Sequence, residues 1–209
     1  PSDDKYPYRV QLPVVLKTSQ PTLDRIYGIN TDNGTPTGGI ELVLRYYDGS
    51  SWSTRAVAAT DSNGYYEFNN LPSLEQGHYL YVSWSNTTYN PNWLWNWSCG
   101  TITSSSADPD AYRCSFDLDN VDLLYPYNAT TVSLPVTFSW RMRALPTDNY
   151  LLRLTDVSDF DPYWHAYVGH VGSYTLDGLP DGFVPWEQYG WWLLVYGPDG
   201  VGTCRYYRT

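Results

Sequence analysis

The chain has 209 residues, a formal net charge of −10, and 21 Tyr and 10 Trp against a single Met. That length exceeds one small sandwich and suits two domains of about 100 residues each, while so acidic a surface repels phosphate backbones and anionic headgroups and excludes nucleic acid as a partner. No run of roughly 18 apolar residues occurs, so no segment reads as a membrane-spanning helix, and abundant aromatic residues favour pleated strands.

Residues 1–23 read as an N-terminal arm. Pro1-Ser-Asp-Asp-Lys-Tyr-Pro-Tyr resembles the polar leader left by a removed signal, and Pro13, which cannot donate to a ladder, makes Val10-Gln-Leu-Pro-Val-Val-Leu an edge strand or docked arm. A first domain is expected over residues 24–119. Ile40, Leu42, Leu44 and Tyr46 alternate with Glu41, Val43, Arg45 and Tyr47, so one set faces a core. Asp48-Gly-Ser-Ser51 signals a hairpin turn with a return strand over 53–60. After the turn Asp61-Ser-Asn-Gly64, Tyr66 and Phe68 point inward and Tyr65 and Glu67 outward. An insertion over 85–111 carries Trp93-Leu-Trp-Asn-Trp97 and Cys99, and a strand over 112–118 closes the domain. A short acidic junction, Asp117-Leu-Asp-Asn-Val-Asp122, favours docked domains over freely swinging ones. The second domain is expected over 123–209, ending in a hairpin turned by Gly197-Pro-Asp-Gly200.

Arg25-Ile-Tyr-Gly-Ile-Asn, Gly38-Gly-Ile-Glu-Leu-Val-Leu, Thr60-Asp-Ser-Asn-Gly-Tyr-Tyr-Glu-Phe-Asn-Asn-Leu-Pro and Gly77-His-Tyr resemble, in order, the core motifs of the carboxypeptidase-regulatory, transthyretin-like and Cna-B group. Pro126 to Trp140, Tyr150-Leu-Leu-Arg-Leu154 and the tail from Trp191 resemble fibronectin type III-like or immunoglobulin-like modules of secreted bacterial proteins. These resemblances imply an all-β chain of two tandem β-sandwich domains outside the cell or in its envelope, and no chemistry follows from such scaffolds. Some Cna-B-like modules also carry a Lys-to-Asn or Lys-to-Asp isopeptide bond; here only Lys5 and Lys17 are available, and the matching later motif is missing.

If Trp93, Trp95 and Trp97 lie in a strand, they share one face, which would either stack on sugar rings or pack against the protein. Cys99 and Cys114 lie close enough for a disulfide that would leave Cys204 single; three reduced thiols are the alternative. Asp117, Asp119 and Asp122, with Asp156, Asp159 and Asp161, offer oxygen ligands, but neither group has EF-hand spacing. His78, His165 and His170 are too scattered for zinc. No nucleophile elbow, zinc-protease or phosphate-loop motif occurs. Asn33, Asn86, Asn96 and Asn128 open glycosylation sequons, informative only in a eukaryotic host. The expectation is therefore a non-catalytic adhesion, scaffolding or spacer protein without metal or cofactor. Its partners would be other surface proteins or a polysaccharide, with carbohydrate binding through the three tryptophans as the alternative role and a hydrolase with a dispersed, unrecognised site as a third.

Overall fold

Strand β3 (Glu41–Tyr47) turns alternation in the sequence into alternation in burial: Leu42 and Leu44 are buried, while Glu41 is exposed and Val43 and Arg45 are partly so. The computed structural model describes residues 23–71, 74–103, 111–127, 129–157, 163–204 and 207–208, and these form seventeen strands and no helix. The expected arm, with Lys5 and Lys17, lies outside the described residues.

Strand β1 (Arg25–Asp32) pairs antiparallel with β2 (Thr35–Pro36) and β5 (Tyr65–Asn69), and parallel with β8 (Ala111–Arg113) and β9 (Phe116–Asp117). The closing strand expected over 112–118 is thus two short strands. Between them the Ile29 N–H donates to Ser115 Oγ at 3.1 Å, so a side chain replaces a ladder bond. Gly28 is required here, because any Cβ would collide with the Cys114 carbonyl, which also accepts the Tyr66 hydroxyl at 2.7 Å.

The opposite layer holds β4 (Trp52–Ala59), β3, β6 (Tyr79–Ser85) and β7 (Asn96–Cys99). Ile26, Tyr66, Phe68 and Phe116 from one layer meet Leu42, Leu44, Leu80 and Val82 from the other in one buried cluster. A Cys99–Cys114 disulfide joins the layers. A second pair of layers follows. Strands β10 (Asp122–Tyr125), β11 (Val136–Arg141) and β14 (Ser173–Leu176) face β13 (Tyr163–Gly169), β12 (Asn149–Asp156) and β15 (Tyr189–Gly197). Phe138 meets Trp191 at 5.1 Å and Trp140 meets Tyr150 at 6.1 Å across that gap.

The two units share a sheet. Strand β16 (Gly200–Thr203) pairs on one side with β15 and on the other with β7, with Val201 opposite Ser98 and Gly202 opposite Trp97. The result is a nine-stranded sheet ordered β13-β12-β15-β16-β7-β6-β3-β4, with β17 (Tyr207–Arg208) also on β15. The insertion therefore supplies the strand that joins the units. Trp97 lies against this hairpin and stacks on Phe116 at 5.4 Å and 11°. A Cβ at Gly202 would sit 2.6 Å from Trp97 Cε3, and one at Gly197 2.8 Å from its Cη2, so these glycines leave room for the indole.

Overfilling that space should be costly: Gly202→Val is expected to lower stability by about 1–3 kcal/mol in urea denaturation. Replacing both Cys99 and Cys114 by Ser, which opens a loop 15 residues long, should lower it by about 3 kcal/mol in the same assay.

Candidate functional site

The three tryptophans do not share a face. Strand β7 begins only at Asn96; before it the Leu94 N–H donates to the Leu118 carbonyl at 2.7 Å and the Trp95 N–H to the Thr203 carbonyl at 2.8 Å. The chain bends at Trp95, so regular strand alternation does not run through residues 93–97 and the expected coplanar strip does not form. Trp97 is 3% exposed. Trp93 is half-buried, donates Nε1–H to Asp32 Oδ2 at 2.8 Å and meets Trp84 edge-on at 6.2 Å. Trp95 is 44% exposed and lies 6.0 Å from the exposed ring of Tyr89.

The junction acids are drawn into an ion-pair cluster that sequence reading missed. Arg143, in the loop 142–148 between β11 and β12, is buried with its Nη2 3.2 Å from Asp117 Oδ1 and its Nε 3.3 Å from Asp148 Oδ2. Nη2 also donates to the Asp117 carbonyl at 2.9 Å. Asp117 accepts further hydrogen bonds from the Thr31 hydroxyl and from the N–H groups of Gly34 at 2.7 Å and Asp119 at 2.9 Å. Burial alone would raise its pKa; these donors and the guanidinium outweigh that and hold it below the usual carboxylate range. Asp148 goes the other way, because burial prevails over Arg143 and raises it. The one signal in the sequence was the Arg143 to Asp148 spacing across a turn.

Asp119 lies nearby with its carboxyl raised by burial and by Asp117, and Asp122 forms an exposed pair with Arg141 at 2.8 Å. Among the described residues no three His, Cys, Asp or Glu side chains gather as metal ligands; Asp159 and Asp161 lie outside them. His78 Nδ1 lies 2.7 Å from the Tyr46 hydroxyl, and His170 Nδ1 lies 2.8 Å from the Asp148 carbonyl while its ring stacks on Tyr150. Cys204 is buried and unbonded; it accepts the Leu193 N–H at 3.1 Å, and burial pushes its thiol up to about 12.

Of the sequon asparagines, Asn86 is buried. Its amide donates to the Asn90 carbonyl at 2.7 Å and accepts the Asn90 N–H at 3.0 Å, an engagement that opposes glycan attachment. Asn33 is exposed in a turn, Asn96 is half-buried in β7, and Asn128 lies outside the described residues. A shallow groove of about 250 Å³ beside Asn86, lined by Glu41, Arg45, Ser83 and Trp93, is smaller than the roughly 300 Å³ at which small-molecule sites begin.

Aromatic residues also cover the outward face of the nine-stranded sheet in two places. Near one end Tyr47, Trp52, Tyr79 and Tyr81 form a ring cluster, with Tyr47 stacked on Tyr79 at 5.6 Å and Trp52 edge-on to Tyr81 at 5.0 Å. At the other end Tyr163, His165, Tyr167 and Tyr196 form a row linked by centroid distances of 5.5, 6.0 and 5.9 Å. Sequence reading singled out neither group, although Tyr163, His165 and Tyr167 alternate within β13 and Tyr47 and Trp52 flank one hairpin; only Tyr196 and the pair Tyr79 and Tyr81 join from more distant strands.

The chain is an all-β sandwich protein. No protein-family model matches the sequence, and no curated protein matches it. Among solved structures it is similar to the FN1–FN3 domains of chicken CNTN1 at 12% identity and a TM-score of 0.34, covering 90% of this chain and 64% of that one. It is similar to a cytokine receptor complex at 12% identity and 0.34, covering 88% and 99%. A tetra-tandem repeat from the extending region of a large adhesion protein follows at 13% identity and 0.26, covering 87% and 49%. No residue role follows from these likenesses.

Because the folded pKa of Asp117 is depressed, its ionisation stabilises the fold above the unfolded value of about 3.9, and that contribution is lost as pH falls through the folded value. Asp148, being raised, favours the fold most at low pH and loses that contribution as pH rises through its folded value. Asp117→Asn should cost about 3 kcal/mol at pH 7 and flatten the loss of stability below about pH 4, measured by denaturation at several pH values. Asp148→Asn should cost less. Separately, Cys204 should resist iodoacetamide in the native protein and react once unfolded, as read by mass spectrometry.

Proposed function

We propose that this chain is a non-catalytic extracellular module in which two sandwiches act as one stiff spacer or adhesive unit. The observation that carries it is the continuous ladder from β15 through β16 to β7, which leaves no flexible linker between the layers it joins. The buried Asp117–Arg143–Asp148 cluster and the Ser115 N–H, donated to Asp199 Oδ2 at 2.9 Å, reinforce the same joint. A protein that positions a partner at a distance needs such rigidity, because free rotation at a joint shortens its mean reach.

The disulfide supports an oxidising compartment. The order of motifs around Thr60 to Phe68 supports a transthyretin-like or Cna-B-like first domain over 24–119, and the tail hairpin supports a fibronectin III-like or immunoglobulin-like second over 123–209, of the type found on bacterial surfaces. The engagement of His78 and His170 in structural contacts supports a role without acid–base chemistry.

Small-angle scattering and calorimetry test this together. A single cooperative melting transition and a scattering profile fitted by one rigid conformation are expected, while Val201→Pro, which removes a ladder donor between β16 and β7, should split the transition and broaden the profile. Two independent transitions in the unmodified protein would refute the stiff unit.

A further inference from the structure

Strands β12, β13 and β15 lie side by side, with Leu151 opposite both Tyr167 and Leu194, and Arg153 opposite His165. Strand alternation sends these residues, with Tyr163 and Tyr196, to the side away from the core. Leu151 and Leu194 are only 2% and 8% exposed, yet neither belongs to the core cluster. They form the floor of an outward apolar patch. Above it runs the row Tyr163, His165, Tyr167 and Tyr196, in which Tyr163 is 45% exposed and Tyr167 72%. Rings held open to solvent over an apolar floor are costly without a partner, and their electron-rich faces suit the C–H faces of pyranose rings.

Charge narrows the ligand further. The chain carries 22 acidic against 12 basic residues, but the outward side chains of these three strands, among the described residues, include Arg153 and His165 and no carboxylate. The Arg153 guanidinium lies over Tyr163 at 5.3 Å from the ring centroid and, among the described residues, has no ion pair that would occupy its fork. A planar fork beside stacked rings matches a carboxylate carried on a sugar ring.

We propose that the outward face of β12, β13 and β15 binds a uronate-bearing polysaccharide, with Tyr163, Tyr167 and Tyr196 stacking on sugar rings and Arg153 meeting a carboxylate. The assignment rests on the extracellular adhesive reading above, to which it adds a ligand and a surface.

Titration calorimetry of the full chain with an oligogalacturonate and with a neutral cello-oligosaccharide decides it. Expected are saturable binding of the oligogalacturonate, weakening with added salt, and neutral-glycan binding at least roughly tenfold weaker. Tyr167→Ala should cost roughly tenfold in affinity, Arg153→Gln roughly tenfold or more, and Trp95→Ala nothing. Tyr167 is mostly exposed, so its variant should keep the parent melting temperature and separate lost contact from lost fold. Absence of oligogalacturonate binding by the folded protein, equal binding of both glycans, indifference to Tyr167→Ala and Arg153→Gln, or loss confined to Trp95→Ala would each overturn the assignment. Scattering on the same samples keeps the two readings apart: no binding with an unchanged rigid profile removes the glycan surface and leaves the stiff spacer.

Discussion

Pairing between Gly200–Thr203 and Asn96–Cys99 sets the form of the whole molecule, because it converts two sheet edges into the interior of one sheet. An unpaired edge exposes a row of N–H and C=O groups that invites association with other chains. Here each edge satisfies the other. The same contact lets Trp97 lie against the final hairpin, brings Asp199 to the Ser115 amide and places the Cys99 disulfide beside the seam. Each of these contacts places the chain for the next, although the two segments are about 100 residues apart in sequence.

Beside the seam a guanidinium is removed from water. Desolvating an arginine costs several kcal/mol unless charge and hydrogen bonds replace the lost hydration. Asp117 and Asp148 supply that replacement from the two sides of the joint, and the opposite shifts of their carboxyl groups show how unequal the compensation is. Asp117 collects donors from Thr31, Gly34 and Asp119, so its charge is well solvated by the protein; Asp148 leans mainly on Arg143. Buried clusters of this kind often add no more net stability than apolar side chains of equal volume, whereas removing one partner strands a buried charge.

Much of the fold was legible where one strand's own pattern decides it. Leu42, Leu44, Tyr66 and Phe68 are buried as their alternation requires, and the turns around Asp48 and Gly64 fall between the strands they separate. What no local pattern encodes is the identity of a distant neighbour. Nothing in Asn96-Trp-Ser-Cys99 names Gly200-Val-Gly-Thr203, and the tail glycines read as turn formers when two of them also make room for an indole. The tryptophans show the same limit: period two through Trp93 to Trp97 would align all three, whereas a bend at Trp95 interrupts it. Cys99 and Cys114 are close enough in sequence to suggest their bond, although spacing alone leaves reduced thiols as the alternative. Within the tyrosine row, Tyr163, His165 and Tyr167 follow from the alternation of one strand, but the place of Tyr196 does not, since it meets Tyr167 only once β12 lies between their strands.

A sheet this wide cannot present a single flat front. Neighbouring strands rotate by roughly 20–25°, so between β13 at one margin and β4 at the other the surface normal swings through roughly 140° or more. The middle strands of the Tyr47, Trp52, Tyr79 and Tyr81 cluster and of the Tyr163 to Tyr196 row, β3 and β12, are five steps apart, so two groups on the same nominal side of one ladder are turned from each other by roughly 100–125°. Twist of this size gives the two groups separate outlooks: an object engaged at one margin leaves the other free to meet something else.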